Sequence, residues 1–401
     1  MTRILVLAPF PPRLDGTHGG ARSIAELVSR LAERHEVALA YLRATEEQDV
    51  DPVLRERCTI VRAVIRPPRS RLARLPALVR GVPLWVGARA VPAFATCVRE
   101  LERAFRPDMV QAEFHAMGQY FDALEGRSAQ RILVEHEPGA AAARDAIARA
   151  PATEQFGARL DAHAWRRYER AVLQAADAVV VLTERDLHAV TPMAGTTRVV
   201  RIPLGATVPA RPLDPVGTAP GMVFVGNFRH PPNLDAAERL VTVIHPIVRS
   251  HRTDVTLTLV GDAAPDTLVT RAARAGASVV LAGRVPSVTP FLDAAAVVAV
   301  PLRHGGGMRV KVLEALAAGK AVVASALAVE GLEVVNGREF LLAGSDEEFA
   351  SATLRLLGDI ALRRSLALRA RAWTAATCGW DRTVESYEAL YRSLDRSGTA
   401  R

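Results

Sequence analysis

Lysine is nearly missing from this chain. Of 51 basic residues only two, Lys311 and Lys320, are lysines, and every other cation is arginine. Cysteine is scarce as well. Cys58, Cys97 and Cys378 form an odd set at wide spacings, which excludes a disulfide framework or a cysteine metal site and predicts free thiols. Aromatic residues make up 5% of the chain, so base stacking has little material, and no nucleic-acid motif is present. No apolar run approaches the ~20 residues of a membrane span. Runs such as Ala178-Val179-Val180-Val181-Leu182 are far shorter. An Asp-x-Asp metal motif, a Ser/His/Asp set and a flanking pair of carboxylates are also lacking. The stretch Met1-Thr2-Arg3-Ile4-Leu5-Val6-Leu7 has the charge and apolarity of a signal start, but Pro9, Pro11 and Pro12 cut it short. It reads as a first strand. The expectation is a cytoplasmic protein, with peripheral attachment to the inner face of a membrane left open.

What the chain does contain is ordinary globular material, 49% apolar and 23% charged over 401 residues. At about 100–200 residues per domain, two to three domains are expected. The net charge of +8 suits anionic partners: nucleotide diphosphates, lipid headgroups or nucleic acid.

Short apolar strands alternate with helical patterns. Segments 3–7, 37–42, 109–111, 131–135, 178–182 and 198–202 read as strands in the first half. Ile24, Leu27, Val28 and Leu31 recur at helical spacing within 21–32, and 165–175 is also helical. The segment 203–220 gathers Pro203, Pro209, Pro212, Pro215 and Pro220 with two glycines and reads as a stiff hinge. Beyond it, 222–225, 255–260, 278–282, 296–300, 321–324 and 339–341 restart the strand pattern, and helix predominates after Asp346. The fold class is therefore α/β: two units, each with a parallel sheet covered on both faces. Such open sheets bind ligands at the carboxyl ends of their strands.

One stretch carries chemistry. After the strand 296–300 and Pro301 come Gly305-Gly306-Gly307-Met308, then a helix with Arg309 and Lys311 in its opening and Gly319 as its stop. Val310, Leu313 and Ala317 form its predicted inward stripe. A helix start is already partly positive, so each cation there is disfavoured by about 0.3–1 kcal/mol. Two of them behind three glycines that expose backbone N–H groups suit an anion, and a diphosphate has the right charge and size. Alternatively, Lys311 and Glu314, three apart, form a plain surface ion pair.

Glu314-Ala315-Leu316-Ala317-Ala318-Gly319 resembles the signature of retaining glycosyltransferases of family 4, whose fold is GT-B: two Rossmann-like domains facing across a cleft. The resemblance implies an N-terminal, acceptor-side domain over 1–205, a nucleotide-sugar-binding domain over 206–379, and a C-terminal helix over 380–401 crossing back to the first. It implies a metal-independent, retaining hexosyltransferase that moves a sugar from a UDP- or GDP-linked donor to a hydroxyl acceptor. No cofactor is implied beyond the nucleotide-diphosphate sugar itself. Glu314 inherits the family's contact with the ribose hydroxyls. The family's other glutamate falls on Gly306, so backbone amides of Gly306 and Gly307 take its place beside the sugar. A subgroup with the pattern Arg-x-Gly-Gly-Gly-x-Arg-x-Lys is the nearer match.

Met222-Val223-Phe224-Val225-Gly226-Asn227-Phe228 resembles the strand and glycine that open the family's second domain, followed by Pro232-Asn233-Leu234-Asp235. Family members place arginine and lysine there for the phosphates. Here Asn227 and a proline pair occupy the area, so the phosphate charge shifts to Arg309 and Lys311, with Arg229 in support. Arg284 and Val285 match the backbone that brackets the base, or else Arg284 is a surface arginine. Leu204 stands where the family's hinge motif has asparagine. In the first domain Gly19 and Gly20 match the glycine pair that faces the donor, and His115 matches a histidine that contacts the donor sugar. Both also have bland readings, as a helix start and a strand-end histidine. Glu135 and His136 fall on the acceptor side, or begin a polar loop.

Arg62, Arg66, Arg69, Arg71, Arg74 and Arg80 are interleaved with Leu72, Leu75, Leu78 and Val79. The stretch either meets an anionic membrane or a lipid-linked acceptor, or is a solvated helix. Two rivals stand beside the transferase: a GT-B nucleotide-sugar epimerase, and a non-catalytic nucleotide-sugar-binding protein.

Overall fold

The computed structural model describes residues 1–16, 19–68, 80–126, 128–216, 219–305 and 309–398. These fall into two units. The first comprises Met1–Leu204 with the chain from Thr383 onward, and the second comprises Gly205–Gly305 with Arg309–Arg382.

The first unit is built on seven parallel strands: β1 (Arg3–Ala8), β2 (Glu36–Arg43), β3 (Ile60–Ile65), β4 (Met109–Glu113), β5 (Gln130–Glu135), β6 (Ala178–Val181) and β7 (Arg198–Arg201). Their order is β3-β2-β1-β4-β5-β6-β7. Central strands such as β1 and β4 are buried throughout their middles, because helices cover both faces of a parallel sheet. This explains why they read as continuous apolar runs. The helix Gly19–Leu31 lays Ile24, Leu27, Val28 and Leu31 inward. The helix Trp380–Gly398 belongs to this unit from Thr383 on, with Tyr387 and Tyr391 buried.

The second unit carries six parallel strands: β8 (Gly221–Val225), β9 (Thr256–Val260), β10 (Val279–Gly283), β11 (Val297–Val300), β12 (Val322–Ala324) and β13 (Leu341–Leu342). Their order is β10-β9-β8-β11-β12-β13. Both sheets are thus doubly wound. The strand order reverses between β1 and β4 in the first unit, and between β8 and β11 in the second. Among the described residues, no helix is long and apolar enough to cross a membrane.

One expectation is corrected. β3 was missed. It has a single neighbour, β2, and its residues are half-exposed, so no apolar run marks it. Arg62 lies on this edge strand, not on a helix. Arg69, Arg71, Arg74 and the intervening leucines, with Val79, lie outside the described residues.

The proline-rich segment after Leu204 is hydrogen-bonded within the second unit. Leu213 N–H donates to the Ala318 carbonyl at 2.9 Å, and Asp214 N–H to Asp293 at 2.9 Å. Arg371 donates to the carbonyls of Pro209 at 2.5 Å and Ala317 at 3.1 Å. Arg363 reaches the Val216 carbonyl at 3.2 Å, and the buried Lys320 bonds the carbonyls of Asp214 and Asp293. The prolines stiffen a strap whose carbonyls are tied to the second unit.

Candidate active site

In the second unit the sequence-derived donor residues flank the strand reversal. Gly226 and Asn227 follow β8, and Gly305, Arg309, Lys311 and Glu314 follow β11. Gly306, Gly307 and Met308 lie outside the described residues. Close backbone approach explains the glycine after β8. A Cβ on Gly261 would lie 1.7 Å from the Gly226 carbonyl oxygen, and one on Gly226 would lie 2.9 Å from Asn233 Cγ. Gly305 has φ +104°, and a Cβ there would lie 2.6 Å from Pro232.

Arg309 is the N-cap of the helix Val310–Ala317, and Gly319, with φ +77°, lies just past the helix end. Val312, Leu313, Ala315, Leu316 and Ala317 are buried, while Val310 is partly exposed, so the inward face is rotated from the predicted stripe. Arg309 is 8% exposed and donates to the Gly305 carbonyl at 3.2 Å and to Glu330 at 3.3 Å. That holds the end of the loop against the helix start. Lys311 donates to Asn233 Oδ1 and lies 4.8 Å from the centre of the Phe224 ring. Loss of water around its ammonium, followed by repulsion from Arg309, pushes its pKa down to about 7, against a pull upward from Glu314. Glu314 is partly buried one turn further on. Arg309 and Lys311 thus stand as two crowded, poorly hydrated cations at a helix start, with Glu330 and Glu314 as the carboxylates acting on them.

Two other cations of this unit are held by carboxylates. Arg303 pairs with Asp235, and the buried Arg239 ties Asp346 to the Pro301 carbonyl at 2.6 Å, which fixes the chain as it leaves β11. Arg229 is exposed, and its backbone N–H donates to Asn227 Oδ1 at 3.0 Å. Arg284 and Val285 follow β10, whose last residue, Gly283, accepts from Gly261 N–H at 2.9 Å beside Gly226. Arg284 is exposed and Val285 packs on the core.

In the first unit Gly19 and Gly20 start the helix after β1, and a Cβ on Gly20 would lie 2.9 Å from the Phe114 ring. His115 and Glu135, His136 stand at the ends of β4 and β5. They form two crossed pairs: His115 Nδ1 lies 3.2 Å from Glu135, and His136 Nε2 lies 2.6 Å from Glu113. All four residues are buried. His115 sits between Trp85 and Trp165, at 5.0 and 4.5 Å between ring centres, and burial pushes its pKa down to about 4, so it is neutral near pH 7. Burial raises the pKa of Glu135. It also raises Glu169 to about 7, although its carboxylate accepts from Gly139 and Ala140 N–H groups. Phe114, with φ +67°, stacks on His136 with ring centres 4.0 Å apart. A buried chain continues outward: Tyr391 donates to Gln111 at 2.6 Å, and Gln111 donates to Glu113 at 2.6 Å.

Residues 219–359, from just before β8 to the end of the helix Asp346–Gly358, match the family model described as glycosyl transferases group 1. No curated protein sequence matches the chain. Among solved structures, a sucrose-phosphate synthase from Thermosynechococcus elongatus is similar over 99% of this chain and all of its own, with TM-score 0.74 and 18% identity. HepE from Anabaena, in complex with UDP and glucose, is similar over 98% and 100%, with TM-score 0.67 and 15% identity. WaaG, a glycosyltransferase involved in lipopolysaccharide biosynthesis, covers 96% and 98% at TM-score 0.68 and 15% identity. The fold is GT-B.

Within this GT-B frame the sequence reading missed three groups. Asn233 was noticed as part of a resemblance but not as the partner of Lys311. Glu113 and Glu169 were missed although each is a buried carboxylate. The signal for Glu113 was present: β4 and β5 are apolar strands that both end in glutamate, with histidine just beyond.

Proposed function

We propose that this chain transfers a hexose-type unit from a UDP- or GDP-linked sugar to a hydroxyl acceptor, with retention of configuration and without a metal. The observation that carries the reading is the pair of desolvated cations, Arg309 and Lys311, at the helix start after β11, inside the segment matching group 1 glycosyl transferases. A leaving diphosphate would be neutralised there by fixed protein charge and backbone N–H groups, which stabilises charge where it develops. HepE has been seen with UDP-glucose, which supports a nucleotide-sugar donor. Glu314 would accept from the ribose hydroxyls, and Gly226 and Asn227 would border the nucleotide. The neutral His115 would serve the sugar, with Glu135 and His136 on the acceptor side, in polysaccharide or glycoconjugate synthesis. The basic stretch 62–80 fits an anionic, lipid-linked acceptor. One sequence feature favours a non-catalytic binder instead: Gly306 stands where the family has a glutamate. Detectable donor hydrolysis separates the two.

Titration calorimetry with UDP and GDP tests the site. Lys311→Ala should weaken binding by about 1.5–3 kcal/mol, the scale of a charge-assisted hydrogen bond. Unchanged affinity for both would sink the assignment.

A further inference from the structure

The function just proposed gives Asn233 no role. We propose that Asn233 is a positioning residue that aims the Lys311 ammonium at the donor diphosphate. The inference rests on reading this site as a diphosphate site. Asn233 lies on the first turn of the helix Pro231–Arg239, seated against Gly226, where any Cβ would lie 2.9 Å from its Cγ. Its Nδ2 donates to the Asn227 carbonyl at 2.9 Å. A carbonyl can only accept and an ammonium can only donate, so the amide has one possible orientation. Oδ1 must face Lys311, and it accepts from Nζ.

The amide does both jobs from one rigid planar group. Aspartate would set a carboxylate against the Asn227 carbonyl. Glutamine has an extra methylene, which displaces its amide from these two partners. Alanine lacks both bonds. Lysine is a flexible four-carbon stem with three donors, so one fixed acceptor and the Phe224 face below hold its head while two N–H groups stay available. Arg309 and Glu314 are the charged groups acting on the same ammonium.

The near-absence of lysine makes the test direct. Protein labelled with ¹³Cε-lysine carries two resonances, and Lys311→Arg identifies which is Lys311. In ligand-free protein, Asn233→Asp should move the Lys311 titration midpoint up by at least one pH unit, because a carboxylate replaces the amide oxygen. Asn233→Ala should raise the Kd for UDP about tenfold in the otherwise unaltered protein, and by less than twofold when Lys311 is already alanine. Equal weakening in both backgrounds, or a Lys311 resonance indifferent to both substitutions, would overturn the proposal. If the unaltered chain binds neither UDP nor GDP, the diphosphate reading itself fails and the proposal falls with it. If it binds and the cycle shows no coupling, the positioning role alone fails.

Discussion

At the scale of single residues, the two titrating groups of most consequence lie at opposite ends of the chemistry. Lys311 has its pKa pushed down to about 7 in the free protein, and a bound diphosphate favours its charged form. Nucleotide binding should therefore take up close to one proton at pH 8 and almost none at pH 6, with affinity falling as pH rises above about 7. Calorimetry in buffers of different ionisation enthalpy reads this directly, and Lys311→Arg, which stays charged, should abolish the uptake. His115 behaves in the other sense. Its folded pKa of about 4 lies below the ordinary 6.5, so the unfolded chain binds the proton more readily. Stability should fall as pH drops from about 6.5 toward 4, by roughly 3 kcal/mol from this group at most. Glu169, raised to about 7, has the opposite slope, losing stability as pH rises through that value. His115→Gln should flatten the acid limb of a urea-unfolding series; an unchanged limb would show that the imidazole does not govern it.

At the scale of elements, what could be read from the sequence depended on how many faces each element buries. Strands such as β1 and β11 are covered on both sides, so their apolar runs announced them. β3 is an edge strand bearing Arg62 and passed for part of a basic stretch. The crowded pair Arg309 and Lys311 was legible because cations at a helix start conflict with local preference. The contacts that complete it were not: Asn233 meets Lys311 across 78 positions, and Glu113 meets His136 across 23. Spacing along one chain does not reveal pairs that the sheet brings together. The loop after β8 offers a sharp check. Gly261→Ala would drive a methyl into the Gly226 carbonyl, and either β8 or β9 must shift. A loss of about 3 kcal/mol is expected, seen as a lower urea midpoint at unchanged slope. A loss below about 1 kcal/mol would mean that the two strand ends are not so tightly opposed.

At the scale of the whole molecule, the proline-rich strap belongs to the second unit. Five prolines stiffen it, and Lys320, Arg363 and Arg371 donate to its carbonyls from elsewhere in the second unit. The sequence hid this because the acceptors are backbone atoms, which any residue supplies. Lys320→Met keeps the stem's volume and leaves the Asp214 and Asp293 carbonyls without that donor. A loss of about 2 kcal/mol is expected after relief of the buried charge is set against it, measured by thermal unfolding of the full chain. No change would show that the strap holds without it.

The chain of bonds from Tyr391 through Gln111 and Glu113 to His136 has a consequence for how the protein is made. All seven strands of the first sheet have left the ribosome once Arg201 emerges, yet the group that completes their buried polar row arrives about 190 residues later. At about 5–20 residues per second, that is roughly 10–40 s of synthesis. During that interval the first unit has its sheet but lacks the helix that satisfies Gln111. The N-terminal half thus begins folding first and finishes last, after the entire second unit has been translated.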